Sequence, residues 1–150
     1  MGSSSFRFRL ERVRALRERS EDAAKQALAE ALQHHRLSTQ AMDRAQAGVA
    51  RARAAQLDAV RTPTSVAELL ARQAFLERSE RAVEATRQDV AHHEQQVERR
   101  REELTAAARE RQALERLKEH RRRDHEREQA RREELMLDEI ALNGFRRRPA

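Results

Sequence analysis

The chain has 150 residues, 39% of them charged and 3% aromatic, with three Gly, two Pro, no Cys and a net charge of +6. The absence of cysteine excludes a disulfide framework and thiolate chemistry, and no apolar run approaches the roughly 18 residues that a membrane span needs. Ala, Arg, Glu, Leu and Gln dominate, and these are strong helix formers. The composition therefore leaves a long coiled coil or a disordered polyampholyte, and no compact domain with a deep core.

Met1-Gly2 opens like a myristoylation signal, but position 6 is Phe6 rather than Ser or Thr, so that motif fails. No apolar signal core follows. Residues 2–5 read as a flexible end. A first helix is expected over about 6–60, with a stripe that includes Leu10, Val13, Ala24, Ala27, Ala31, Ala45, Ala52 and Ala59.

The single internal proline, Pro63, lies in the run Thr62-Pro63-Thr64-Ser65. The residue before a proline is biased away from the helical region. Ser65 with Glu68 three residues later forms a capping box, and Val66 and Leu69 open an apolar stripe behind it. A turn over 61–65 this short predicts an antiparallel hairpin.

The second helix is expected over about 66–142, with Asn143-Gly144 as its stop and a flexible tail over 143–150. It carries a ladder, Leu69, Leu76, Val83, Val90, Val97 and Leu104, with one large apolar residue every seven positions. A strict interval of seven is the pattern of a helix supercoiled against another helix. At 1.5 Å per residue the two helices would be roughly 80 Å and 115 Å long.

Folding the chain about the turn sets the ladder against a second heptad series. Leu69 then faces Ala59, Leu76 faces Ala52, Val83 faces Ala45, Val90 faces Ser38, Val97 faces Ala31 and Leu104 faces Ala24. Each large residue meets a small one, which lets two backbones approach and still fill space. The same register sets Arg17 near Arg111, two like charges that repel, and Leu10 near Lys118, where a long charged side chain can snorkel. Beyond about Arg122 the second helix runs out of partner. The stretch Arg123–Leu142 is expected to project alone, carrying the apolar cluster Leu135-Met136-Leu137 and Ile140. The fold class is thus all-α: a long antiparallel two-helix coiled-coil hairpin with an overhanging C-terminal helix, forming a single coiled-coil domain over 1–150.

Few residues point to chemistry. His34-His35 and His92-His93 fall at about the same height in this register. They read as polar positions in a weak seam, with a shared metal or pH-sensitive spot as the alternative. Three glycines cannot make a phosphate loop, and a thin hairpin offers no dry cavity in which to tune a catalytic group. No enzyme activity, cofactor or metal is expected. The arginine blocks Arg99–Arg101, Arg121–Arg123 and Arg146–Arg148 are interleaved with Glu and Asp, which favours a solvated face over a nucleic-acid interface. Phe75 stands one residue off the ladder; with Ser79 and Ala82 at helical spacing it reads either as a cover for the seam or as a contact surface.

The opening Phe6-Arg7-Phe8-Arg9-Leu10-Glu11-Arg12-Val13, the run Arg72-Gln73-Ala74-Phe75-Leu76-Glu77 and the near-terminal Leu137-Asp138-Glu139-Ile140-Ala141 resemble the flagellar export protein FliJ family over nearly the whole chain. The resemblance implies a non-enzymatic, stalk-like coiled coil of the type III export apparatus of the bacterial flagellum. It implies three partners: the export ATPase hexamer, the cytoplasmic domain of the export-gate membrane protein, and export chaperones. Carried onto this chain, the ring-binding residues are Leu10, Val13, Leu135, Leu137, Asp138 and Ile140, and the gate-binding residues are Phe75, Ser79 and Ala82. Ser79 stands where a leucine is found in a familiar member. The implied location is cytoplasmic, peripheral to the inner membrane at the flagellar base, with the chain monomeric by itself. The alternatives are a stalk-like subunit of a virulence type III system, or a basic nucleic-acid-associated or adaptor coiled coil.

Overall fold

The computed structural model describes residues 5–62 and 64–146. Among them are two helices, α1 (Glu11–Arg61, 51 residues) and α2 (Val66–Arg146, 81 residues), with no strand. The helices pack against each other as an antiparallel hairpin. The chain divides into two compact units, one taking in residues up to Glu21 and from Ala107 onward, the other Asp22–Ala106.

In the Asp22–Ala106 unit the expected register holds. Arg72 donates to the Ala55 carbonyl at 2.6 Å, Gln56 to Gln73 at 2.9 Å, and the His34 and His93 rings stack at 5.8 Å. Buried positions on α1 fall at Ser38, Val49, Ala52 and Ala59, and Val97 is the buried ladder residue of α2. Leu76, Val83, Val90 and Leu104 are half-buried. Leu69, the first rung, is 42% exposed, because the seam has barely begun one turn after the cap.

The ladder is half of the α2 seam. The other half is a second heptad series, Arg72, Ser79, Thr86, His93 and Arg100, all half-buried. Polar groups there need partners, and they have them. The Ser79 hydroxyl donates to the Phe75 carbonyl at 2.9 Å, and that of Thr86 to the Val83 carbonyl at 2.9 Å. On α1 the Ser38 hydroxyl likewise donates to the His35 carbonyl at 2.8 Å. Among the described residues no buried side-chain nitrogen or oxygen lacks a partner.

The turn is self-contained. Ser65 N–H donates to the Glu68 carboxylate at 3.4 Å and Glu68 N–H to the Ser65 hydroxyl at 3.3 Å, which is the capping box. Thr62 and Thr64 close α1 from the other side. Their hydroxyls donate to the Asp58 and Ala59 carbonyls, which have no helical donor left at a C-terminus. Pro63 lies outside the described residues.

Both outer helix limits differ from the sequence expectation. α1 begins at Glu11 rather than near residue 6. Residues 5–8 are not helical, and Phe6 and Phe8 are half-buried while Ser5, Arg7 and Arg9 are exposed. That alternation of two is the period of extended chain. At the other end α2 continues through Asn143-Gly144 to Arg146. A glycine ends a helix when it takes a left-handed conformation fixed by a contact back onto the last turn. Among the described residues no glycine has positive φ, and a Cβ on Gly144 would meet nothing within 4 Å, so nothing forces the helix to stop there. Residues 147–150 of the expected tail, and residues 1–4, lie outside the described residues.

Candidate partner-binding surfaces

In the unit built from the two chain ends, the packing is more ionic than apolar. Arg14 pairs with Glu11 at 2.8 Å and with Glu115 at 2.9 Å, Lys118 with Glu11 at 2.9 Å, and Arg17 with Glu110 at 2.7 Å. Arg111 is hydrogen-bonded to Glu21, which is buried. The repulsion expected between Arg17 and Arg111 is thus offset, since each guanidinium is paired with a carboxylate on the facing helix. Hydrogen bonds from Lys118 and then Arg14 hold the Glu11 carboxyl below the usual carboxylate range. The same kind of contact, led by Glu11 for Arg14 and by Glu21 for Arg111, keeps both guanidiniums firmly charged.

The partner of α2 also extends further than expected. The Phe6 ring lies 5.7 Å from that of His125, tilted by 58°. Residues 5–10 and the 117–128 stretch of α2 line a shared cavity of about 580 Å³. The lone stretch is thus 131–146, where every residue is exposed, rather than 123–142.

This places the six expected ring-binding residues. Leu10 and Val13 are 39% and 40% exposed beside the ion-pair lattice. Leu135, Leu137 and Ile140 are between 61% and 68% exposed, and Asp138 is exposed among them. Two further large apolar residues are exposed on the same stretch of helix, Leu142 and the 81% exposed Phe145, on the side of Leu135 and Asp138. Placing the helix stop at Asn143 hid Phe145 from the sequence reading. The other unit carries the expected gate-binding set. Phe75 is 50% exposed and Ala82 is exposed, while Ser79 is drawn into the seam and bonded to its own helix. Of the three, Phe75 and Ala82 are open to solvent and Ser79 is half-buried.

The histidines are partly gathered. His34 stacks on His93 with the rings 14° from parallel, and His92 meets His93 edge-on at 5.4 Å. Among the described residues no group of three or more His, Cys, Asp or Glu is arranged to hold a metal. No helix among them is long and apolar enough to cross a membrane.

A thin helical pair with exposed apolar residues can offer surfaces to partners, and relatives show which class of protein it is. The family model described as Flagellar FliJ protein matches residues 6–150. The chain belongs to the FliJ family. Membership assigns it to the type III export class of helical, stalk-like proteins. Its fold is also that of a solved YscO homologue, CT670 from Chlamydia trachomatis, with a TM-score of 0.75 over 95% of this chain and 96% of that one. At 20% identity the likeness to that protein is one of fold. No curated protein matches the chain.

Proposed function

We propose that this FliJ-family chain is a non-enzymatic component of the flagellar type III export apparatus, acting as a stalk-like partner of the export ATPase ring. The ring contact is made by Leu10, Val13, Leu135, Leu137, Asp138 and Ile140, extended by Leu142 and Phe145. The observation that carries this reading is the exposure of the whole 131–146 stretch, whose large apolar side chains are left uncovered by the described residues. Such a face is stable in a cell when something covers it. A helix presented to a ring of subunits needs no chemistry of its own; it needs complementary surface and stiffness.

In the same reading the Asp22–Ala106 unit meets the cytoplasmic domain of the export gate through Phe75 and Ala82, and export chaperones join the assembly. The protein then works in the cytoplasm at the inner-membrane face of the flagellar base. Exposed aromatics are frequent anchors of protein contacts, and Phe75 is the exposed aromatic of this unit. The test is direct. Adding the folded protein to the purified flagellar export ATPase raises both ATP hydrolysis and the fraction of ATPase in rings. A folded sample that changes neither rejects the ring role. Capture of the gate's cytoplasmic domain that is lost in Phe75→Ala supports the second contact, and undiminished capture removes Phe75 from it.

A further inference from the structure

The unit built from the chain ends carries two uncovered surfaces of opposite charge on one helix. From residue 133 to residue 145 the sequence holds Glu133, Glu134, Asp138 and Glu139 and no cation. None of these acids has an ion-pair partner among the described residues. Leu135, Leu142 and Phe145 stand exposed beside them, and Asp138, Leu142 and Phe145 share one side of the helix. The cavity between residues 5–10 and the 117–128 stretch has the opposite character. Phe6, Phe8 and Leu117 give it apolar walls, and Arg7, Arg9 and Arg121 line it with no ion-pair partner among the described residues. We infer that a second copy of this chain docks here, with the acidic 133–145 helix of each copy seated on the basic cavity of the other.

Three features select a second copy as the occupant. First, the charges left over on the two surfaces are complementary. The two acids that line the cavity are already engaged, Asp124 by His120 at 3.3 Å and Arg127 at 3.8 Å, and Glu128 by Arg132 at 3.6 Å. The arginines of the cavity are therefore left for an outside acid, and the acids of 133–145 for an outside cation. Second, the two surfaces cannot meet within one chain. Both lie on α2, which runs without a break to Arg146, so the 133–145 stretch cannot fold back onto 117–128. Third, their placement suits a two-fold dimer. They are consecutive on one helix, with centres roughly 25 Å apart at 1.5 Å per residue. Two such helices laid antiparallel, with the axis crossing between the surfaces, bring each surface onto its complement and form both contacts at once. The same pairing covers apolar side chains that otherwise stand in water.

The dimer covers the face assigned above to the ring, so on that reading self-association and ring contact exclude each other. The dimer itself does not rest on that reading, and its assay contains no ATPase. Sedimentation equilibrium of the full chain over a concentration series gives the mass. The 17.5 kDa chain is expected to be monomeric when dilute and to approach twice that mass as concentration rises. High salt is expected to weaken the association. R7E/R9E and E134R/D138R reverse the charge on one surface each, all at exposed positions. Each variant alone is expected to keep wild-type helicity and to lose roughly tenfold or more in dimer affinity, as when close charge pairs across an interface are broken. An equimolar mixture of the two variants is expected to recover the dimer, because in the mixed pair both contacts again join opposite charges. A wild-type chain that stays monomeric throughout overturns the inference. So does a dimer that neither reversal weakens, or a mixture that associates no better than its parts.

Discussion

Glu21 of α1 sits buried at a seam position and is joined to Arg111 of α2 by a hydrogen-bonded ion pair. Continuing the two heptad series puts a charge where an apolar residue would ordinarily be. A buried charge is tolerated only with its partner in place. Glu21→Ala is therefore expected to lower the thermal midpoint more than removal of an exposed acid such as Glu98. The double variant E21L/R111L should recover most of the loss, since two apolar residues can replace a buried pair. Circular-dichroism melts of the three variants check this; a double variant no better than Glu21→Ala would mean that the pair is not the cause.

The Glu11 carboxyl predicts how the ionic unit responds to acid. Its folded pKa lies below the ordinary value because Lys118 and Arg14 hydrogen-bond the charged form. The contribution of such a group is fully present above the unfolded pKa and is lost as pH falls through the folded one. Acidification below the usual carboxylate range should thus weaken the lattice around Arg14 first. Lys118→Ala should move the Glu11 titration, followed by carboxyl NMR, back up toward an ordinary glutamate. An unchanged midpoint would show that Lys118 is not the leading cause.

The seam of the Asp22–Ala106 unit predicts two substitutions of different size. Val97 is 5% exposed, so Val97→Ala should destabilise by about 1–2 kcal/mol, the range for deleting buried methyl groups. Leu76→Arg forces a charge into a half-buried rung and should lower both helicity and the thermal midpoint. If Leu76→Arg melts like the wild type, the ladder is not the seam.

Much of this fold is legible in sequence because heptad spacing and the capping box are local signals tied to fixed geometry. Leu76 opposite Ala52 and Ser65 with Glu68 needed nothing beyond counting. The misses have equally local causes. Phe6-Arg7-Phe8 alternates with a period of two, yet its position in front of a helical pattern made it read as helix. Asn143-Gly144 reads as a stop, but a glycine stops a helix by turning left-handed, and no described glycine has positive φ. The polar half of the α2 seam carries no apolar periodicity, since Ser79 and Thr86 enter it only by bonding their own helix. Of the surfaces, the apolar residues of the overhang were legible, while Phe145 appears only once exposure is known.

The Phe6–His125 contact extends the packing of α2 beyond α1 and should order the first residues of the chain. Phe6→Ala removes the ring contact, worth about 1 kcal/mol for an aromatic pair. Hydrogen exchange is expected to quicken in residues 5–10 and around His125, with the Asp22–Ala106 unit unchanged. Unaltered exchange in both stretches would show that the ring does not hold the segment.

Leu137→Asp separates ring binding by the exposed 131–146 stretch from the stability of the hairpin. Leu137 is 66% exposed, so the variant should keep the wild-type melting curve. Measured beside the wild type, it should fail to raise ATP hydrolysis by the purified export ATPase. A variant that unfolds the hairpin, or one that stimulates hydrolysis as fully as the wild type, would contradict the account.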